Sequence, residues 1–218
     1  MPTKTYGFEI KGVSREIIIP ETNTAYFVLT EVLQNGCYPI HEWLKDVRTI
    51  VDIGANFGAF SVLFGSVFPE AKITAFEPHP EVFKLLRINT QGLNVDLLPH
   101  AVSDYQGTGM LWDSDFCCAM ASLIRGPDQQ DDPYPVQVVQ ARFAIPAEID
   151  VLKIDTEGSE LPILRDIKDN LANIRVIYLE FHSESDRLDI EKLLLPTHTL
   201  YFARLTKPTL GELMYVRR

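Results

Sequence analysis

An α/β fold, with a mostly parallel sheet covered by helices on both faces, is predicted by three features of this sequence. Apolar, β-forming runs alternate with segments of helical spacing from Thr49 to Leu195. The run Val51-Asp52-Ile53-Gly54-Ala55-Asn56-Phe57-Gly58 ends a strand on a carboxylate and opens directly into a glycine-punctuated turn. Glu77 closes a second strand 19 residues past Gly58, where a Rossmann-like unit places a carboxylate that reaches a ribose hydroxyl.

Residues 1 to 20 read as a short extended pair with Ile17, Ile18 and Ile19 as its apolar strand. Asn23-Thr24 can cap a helix reaching Leu33, which Gly36 ends. Thr49, Ile50 and Val51 begin the first core strand, Ala59 to Phe68 the first core helix, and Ile73 to Phe76 the second strand. Pro80 sits in the first turn of a helix running to about Thr90, with Val82, Leu85, Leu86 and Asn89 on its spacing and Gly92 as its stop. Val95, Leu97 and Leu98 form the third strand. Gly107 to Leu111 and Val136 to Val139 alternate as strands around the acidic, proline-bracketed loop from Gly126 to Pro133, a hairpin inserted into the fold. Ile149 to Ile154, Val176 to Phe181 and the helices Ser159 to Asn170 and Asp186 to Leu195 continue the alternation. Leu200 to Ala203 and Leu213 to Val216 make a final antiparallel pair.

The 218 residues fit one domain, 1–218, with 1–45 as an N-terminal lid and 105–140 as the inserted hairpin and loop. A net charge of −10 and a pI near 4.9, with no basic cluster, argue against nucleic acid as a partner. Cys37, Cys117 and Cys118 form no even disulfide framework and no C-x-x-C pair, which suits a reducing cytoplasm. The first eleven residues lack the apolar core of a signal peptide, and no run of about 18 apolar residues offers a membrane span. Oligomeric state is not legible.

The glycine spacing selects the cofactor class. A dinucleotide fingerprint needs a middle glycine so that the backbone can approach a pyrophosphate; here that position is Asn56 and the pattern is G-x-x-x-G. Asp52 at the strand end repels a phosphate and attracts a sulfonium or an ammonium. S-adenosylmethionine carries both cations and no phosphate. The plain alternative is that Gly54 and Gly58 make only a tight turn and a close helix contact.

VDIGANFGAFSV (51 to 62), AFEPHPEVFKLL (75 to 86), AVSD (101 to 104) and VLKIDTEGSE (151 to 160) resemble, in order, the successive blocks of the FkbM family of S-adenosylmethionine-dependent methyltransferases. The resemblance extends through Gly36 to Pro39 and Ala121-Ser122-Leu123, from about residue 30 onward. It implies a Rossmann-like seven-strand class I methyltransferase fold whose seventh strand runs antiparallel between the fifth and sixth. It implies O-methylation of a hydroxyl on a small molecule, a sugar or a secondary metabolite. N-methylation of an amine is the alternative, and a nicotinamide-dependent oxidoreductase or a non-catalytic cofactor-fold module are the readings from other classes. By position, Asp52, Gly54, Asn56, Phe57 and Gly58 match the first cofactor loop, Glu77 the ribose-binding acid, and Pro78 the adenine side. Ser103 and Asp104 match the segment that holds the adenine amino group, although Asp104 also suits a turn ahead of Gly107.

Methyl transfer is an in-line displacement, so alignment comes first and proton removal second. Asp155 and Glu157 leave the fourth strand two apart, as Glu180 and His182 leave the fifth, so each pair projects to one side near the switch point where open sheets bind ligands. Asp155 is expected to touch the methionine end of the cofactor or the acceptor. Glu157 is expected to orient or deprotonate the acceptor, with His182 as the alternative base. Against these stand Glu157 as a cap of the following helix and His182 as a hydrogen-bonded strand end. The same four side chains can be written as a magnesium or manganese site, but their spacing is not that of a metal motif, and no metal is expected. Lys153, a lone charge in an apolar strand, needs a carboxylate partner. Trp112, Phe116, Tyr134 and Tyr38 are candidate acceptor contacts or plain packing.

Overall fold

The computed structural model describes residues 1–113, 121–125 and 132–218. Phe116, Cys117, Cys118 and positions 126–131 of the acidic loop lie outside the described residues. β1 (Thr3–Ile10) and β2 (Val13–Pro20) form the expected antiparallel pair. α1 (Asn23–Leu33) is capped by Thr22, one residue ahead of the expected pair, because the Thr22 hydroxyl accepts from the Ala25 N–H. β3 (Thr49–Ile53), α2 (Ala59–Val67), β4 (Lys72–Phe76), α3 (Pro80–Asn89) and β5 (Val95–Leu98) reproduce the two βα units read from the sequence.

The inserted hairpin is present but belongs to a larger unit. β6 (Ala101–Ser103), β7 (Gly107–Leu111) and β8 (Tyr134–Gln140) form a separate sheet in the order β6-β8-β7, with β6 parallel and β7 antiparallel to β8. β6 and the single-turn α4 (Ala141–Ala144) were not legible as elements. After β9 (Ile149–Ile154), the expected helix Ser159–Asn170 is instead α5 (Glu160–Asp166) followed by a 3-10 stretch, Lys168–Asn173. The break falls at Ile167, whose N–H bonds back to both Ile163 and Arg165 and tightens the last turn. β10 (Ile174–Phe181), α6 (Glu184–Leu194), β11 (His198–Lys207) and β12 (Leu210–Arg217) complete the chain.

The main sheet runs β11-β12-β10-β9-β3-β4-β5. β12 is antiparallel to both its neighbours and sits between β10 and β11, while the remaining pairs are parallel. This is the seven-strand Rossmann-like order that the resemblance implied. Alternate residues feed two cores, as the period of two requires. Ile50, Ile73, Val151, Val176, Tyr178 and Met214 face α1, α2 and the N-terminal pair. Val51, Ile53, Leu152, Ile154, Leu179 and Tyr215 face α5 and α6. Burial on both sides explains why these strands read as unbroken apolar runs.

The N-terminal pair is tied down on the first of those faces. The Asn89 side chain accepts from the Ile18 N–H and donates to the Ile18 and Phe57 carbonyls, at 2.7 to 2.8 Å. α1 therefore stands over the carboxyl ends of the core strands. Among the described residues, no helix is long and apolar enough to cross a membrane.

Candidate active site

A cleft of about 260 Å³ opens over the carboxyl ends of β3, β4, β9 and β10 and the amino end of the antiparallel β12, roofed by α1 and by the 121–123 step of the insertion. Its first wall is the β3–α2 turn. Gly54 has φ +77°, and a Cβ there would lie 1.7 Å from the Asp155 carbonyl oxygen, so the glycine is required by backbone and neighbour alike. Gly54→Ala is expected to destabilise the fold by about 2–4 kcal/mol, the sum of a left-handed penalty and a clash with backbone that cannot yield, read from urea unfolding midpoints.

Every N–H of this turn is already committed. Gly54 and Ala55 donate to the Phe76 carbonyl, Asn56 to Glu77 Oε2 at 2.8 Å, Phe57 to Asn56 Oδ1, and Gly58 to the Ala55 carbonyl. No ring of free amides remains to cradle a pyrophosphate. Glu77 accepts one backbone N–H on each oxygen, from Asn56 and from His79 at 2.8 Å, and lines the cleft. Each oxygen keeps lone-pair capacity for a further donor. Burial raises the Glu77 carboxyl, and those two N–H groups work against the rise.

Several predicted contacts are relocated. Asp52 is fully buried and does not reach the cleft: it accepts from Ser61 Oγ at 2.7 Å and lies 3.3 Å from Lys153 Nζ. It therefore cannot meet a ligand cation directly. Phe57 packs its ring in the core, and Gly58 exists for its φ of +94° and for a Cβ-less approach to Leu86, so only Gly54 and Asn56 of the loop face the cleft. Pro78 lines it as expected. Ser103 and Asp104 do not: β6 carries them past the wall, which is built by His100, Ala101 and Val102 instead. Trp112 stacks under Arg125 and Tyr134 meets His79 edge-on, both outside the cleft lining, whereas Tyr38 lines it.

The second wall is the β9–α5 loop. Lys153 is buried with Asp52 and Asp155 as its carboxylates, and it donates to the Gly54 carbonyl, so the expected ion pair fixes the turn. Burial works against its charge, but the two carboxylates outweigh it and raise its pKa. Asp155 lines the cleft and accepts from the Tyr38 hydroxyl at 3.1 Å. Against its burial, Lys153 and His182 hold its carboxyl below the usual range. Glu157 has φ +57°, held there by Ser122, whose hydroxyl donates to the Glu157 carbonyl at 2.7 Å. Glu157 is not the helix cap. The N-cap is Ser159, without a side-chain cap bond, and Glu160 instead ties the loop ahead of the helix, its Oε1 accepting from the Thr156 N–H and hydroxyl and the Gly158 N–H.

His182 closes the cluster. Its Nε2 lies 3.0 Å from Glu157 and 3.1 Å from Glu180, and its Nδ1 lies 3.8 Å from Glu160. Burial opposes its charge, but the three carboxylates overcome it and raise the imidazole far above its ordinary value. The ring is thereby placed to orient the carboxylates around it. Glu180, on the cleft wall, is pushed up to about 8 by burial and by the Asp155 charge, with His182 pulling the other way. Glu157, Glu180 and His182 offer ligand atoms that lie within 4.8 Å of one another, close enough to hold a metal ion. Glu31 and Glu212, also on the lining, were not foreseen.

Sequence comparison matches residues 52–201 to the methyltransferase FkbM domain. Methyltransferase sdnD of Sordaria araneosa is 28% identical, over 78% of this chain and 80% of its own length. Hexuronic acid methyltransferase AglP of Haloferax volcanii is 22% identical, over 66% of this chain and 59% of its own length. The crystal structure of a methyltransferase FkbM from Methylobacillus flagellatus KT shares the fold with a TM-score of 0.56 at 18% identity; the match covers 78% of this chain and 44% of that one.

Proposed function

This chain belongs to the FkbM family of methyltransferases and is a methyltransferase, and from that premise we propose that it moves a methyl group from S-adenosylmethionine to a hydroxyl of a small molecule. The observation that carries the donor assignment is the turn whose amides are all internally bonded beside a cleft-facing Glu77. Such a wall offers nothing to a pyrophosphate and two carboxylate oxygens to a ribose, which disfavours a nicotinamide-dependent oxidoreductase. The donor supplies an activated methyl on a sulfonium. Glu77 and Pro78 take its nucleoside end, and Asp155, reached by Tyr38 and Lys153, takes the cationic methionine end. We read residues 1–218 as one methyltransferase domain, with α1 as the roof supplied by the lid.

The acceptor then lies over β9, β10 and β12. Glu180 takes the hydroxyl proton as the carbon–oxygen bond forms and the carbon–sulfur bond breaks, leaving a methyl ether, the demethylated donor and a protonated Glu180. His182, bonded to Glu157 and Glu180, positions both carboxylates. Glu157 is assigned an orienting role, since its Oε2 is engaged by the His182 ring. A sugar acceptor is supported by the relative named for hexuronic acids, in its ring and not in its charge. Amine methylation is the second reading, favoured by the acidic lining.

Calorimetry tests the donor assignment: S-adenosylmethionine and S-adenosylhomocysteine should bind and NAD should not, and the reverse pattern would overturn it. Glu77→Ala should weaken S-adenosylmethionine binding by about 1.5–3 kcal/mol, roughly 10- to 150-fold, through loss of charged hydrogen bonds. An unchanged dissociation constant would remove Glu77 from the site.

A further inference from the structure

The β12 side of the cleft holds a buried carboxyl oxygen that no donor among the described residues meets, that of Glu212. In the β10–β12 ladder Glu180 and Glu212 stand directly opposite each other, and in the β11–β12 ladder Glu212 stands opposite Arg204. Burial raises the Glu212 carboxyl and the Arg204 charge works against the rise, but the Arg204 guanidinium is ion-paired with Glu31 on α1. Lys153 is engaged by Asp52 and Asp155, and His182 by its own three acids. Glu212 is 8% exposed, lines the cleft, and its Oε2 meets no donor among the described residues. Cys37, beside it on the lining, offers no charge: burial and the neighbouring Glu212, Asp155 and Glu31 push its thiol up and keep it neutral. Burying a carboxylate oxygen without a donor is costly, and a ligand that brings one removes the cost.

The position fits the acceptor and not the donor. Glu77 and the β3–α2 turn hold the β3–β4 side of the sheet, whereas β12 lies beyond β9 and β10 on the opposite side of the switch point. We propose that Glu212 is a specificity determinant for the acceptor, receiving a protonated amine on its free carboxylate oxygen, so that the enzyme selects ammonium-bearing acceptors over anionic ones. This rests on the methyltransferase reading of the cleft and adds the acceptor's charge class. The amine is either the atom methylated or a neighbour of the methylated hydroxyl. Both place the cation against Glu212 Oε2, beside Glu180 on the adjacent strand.

A matched set of hexoses tests the proposal on the full chain saturated with S-adenosylhomocysteine at pH 7. Glucosamine, glucose and glucuronic acid differ in charge on one ring, and their binding is measured by saturation-transfer NMR and calorimetry. Glucosamine is expected to bind about tenfold or more tightly than glucose, with glucuronic acid weakest, as a charge-assisted hydrogen bond dictates. In Glu212→Gln, an isosteric change, the advantage of glucosamine over glucose should vanish while S-adenosylhomocysteine affinity stays unchanged. Equal binding of glucosamine and glucose, preference for glucuronic acid, no binding of glucosamine, or a preference that survives Glu212→Gln would each overturn the proposal. Failure to bind S-adenosylhomocysteine at all would overturn the donor assignment instead, so the two failures are distinguishable.

Discussion

Glu180→Gln is expected to lower kcat by about 10²- to 10⁴-fold, the range a positioned general base contributes, while leaving the dissociation constant for S-adenosylmethionine within a factor of about two. Three acids and one imidazole compete for the role, and their surroundings separate them. His182 is caged by carboxylates and holds its proton. Asp155 is held low by Lys153 and His182, and by the Tyr38 hydroxyl, and is a weak base at any pH where the protein folds. Glu157 lies against the imidazole of His182 on a half-buried loop. Glu180 is the carboxylate whose burial and whose neighbour Asp155 bring it to about 8, close to where a base must titrate to be useful. In the wild type kcat/KM should therefore rise with pH on a limb near 8, and Asp155→Asn should shift that limb downward by removing the charge that raises it. Stability runs the other way. A carboxyl raised in the folded state stabilises below its unfolded value of about 4.5 and loses that contribution as pH rises through about 8. Glu180→Gln should thus raise Tm at pH 9 relative to wild type and do less at pH 5. Full turnover in Glu180→Gln together with a dead Glu157→Gln would move the base to Glu157.

What the sequence reveals and conceals follows from how local each signal is. The strand, turn and helix from Thr49 to Val67 are legible because glycine, a strand-end acid and helical spacing lie within one unit. The order of β10, β12 and β11 is not local, and only the family resemblance supplies it. β6 has three residues, too few for alternation to register, and it moves Ser103 and Asp104 away from the cleft. Glu157 and Glu160 both precede or open α5, and composition alone cannot say which one turns back to the loop amides. Asp52 illustrates the sharpest limit: a carboxylate at a strand end reads as a ligand group, yet its partner is Lys153, a hundred residues away on the adjacent strand. A lone charge in an apolar strand correctly flagged Lys153. The same signal marks Glu212 within Leu210 to Val216, and it went unread.

Lys153→Met should have the largest effect on stability, a loss of about 3–5 kcal/mol, because breaking a buried pair leaves an uncompensated charge. Lys153 is 3% exposed and Asp52 fully buried, with only the Ser61 hydroxyl left to serve Asp52 once the ammonium is gone. Asp52 already titrates above its usual value through burial, which Lys153 and Ser61 only partly offset, and its pKa must rise further in the variant. A carboxyl raised in the folded state contributes stability at low pH and loses it as pH rises through the folded value, so the deficit should be smallest in acid and grow toward neutrality. Asp52→Asn combined with Lys153→Met should recover part of the loss, since it removes the stranded charge. The double variant should still bind S-adenosylmethionine poorly, because the Gly54 carbonyl loses its donor and the Asp155 carboxylate its neighbour, and the turn no longer holds its shape over the cleft. Urea unfolding at pH 5 and pH 8, with calorimetry beside it, separates the two consequences. A single variant as stable as wild type at both values would show that Asp52 is neutral in the native protein and that the pair is not ionic.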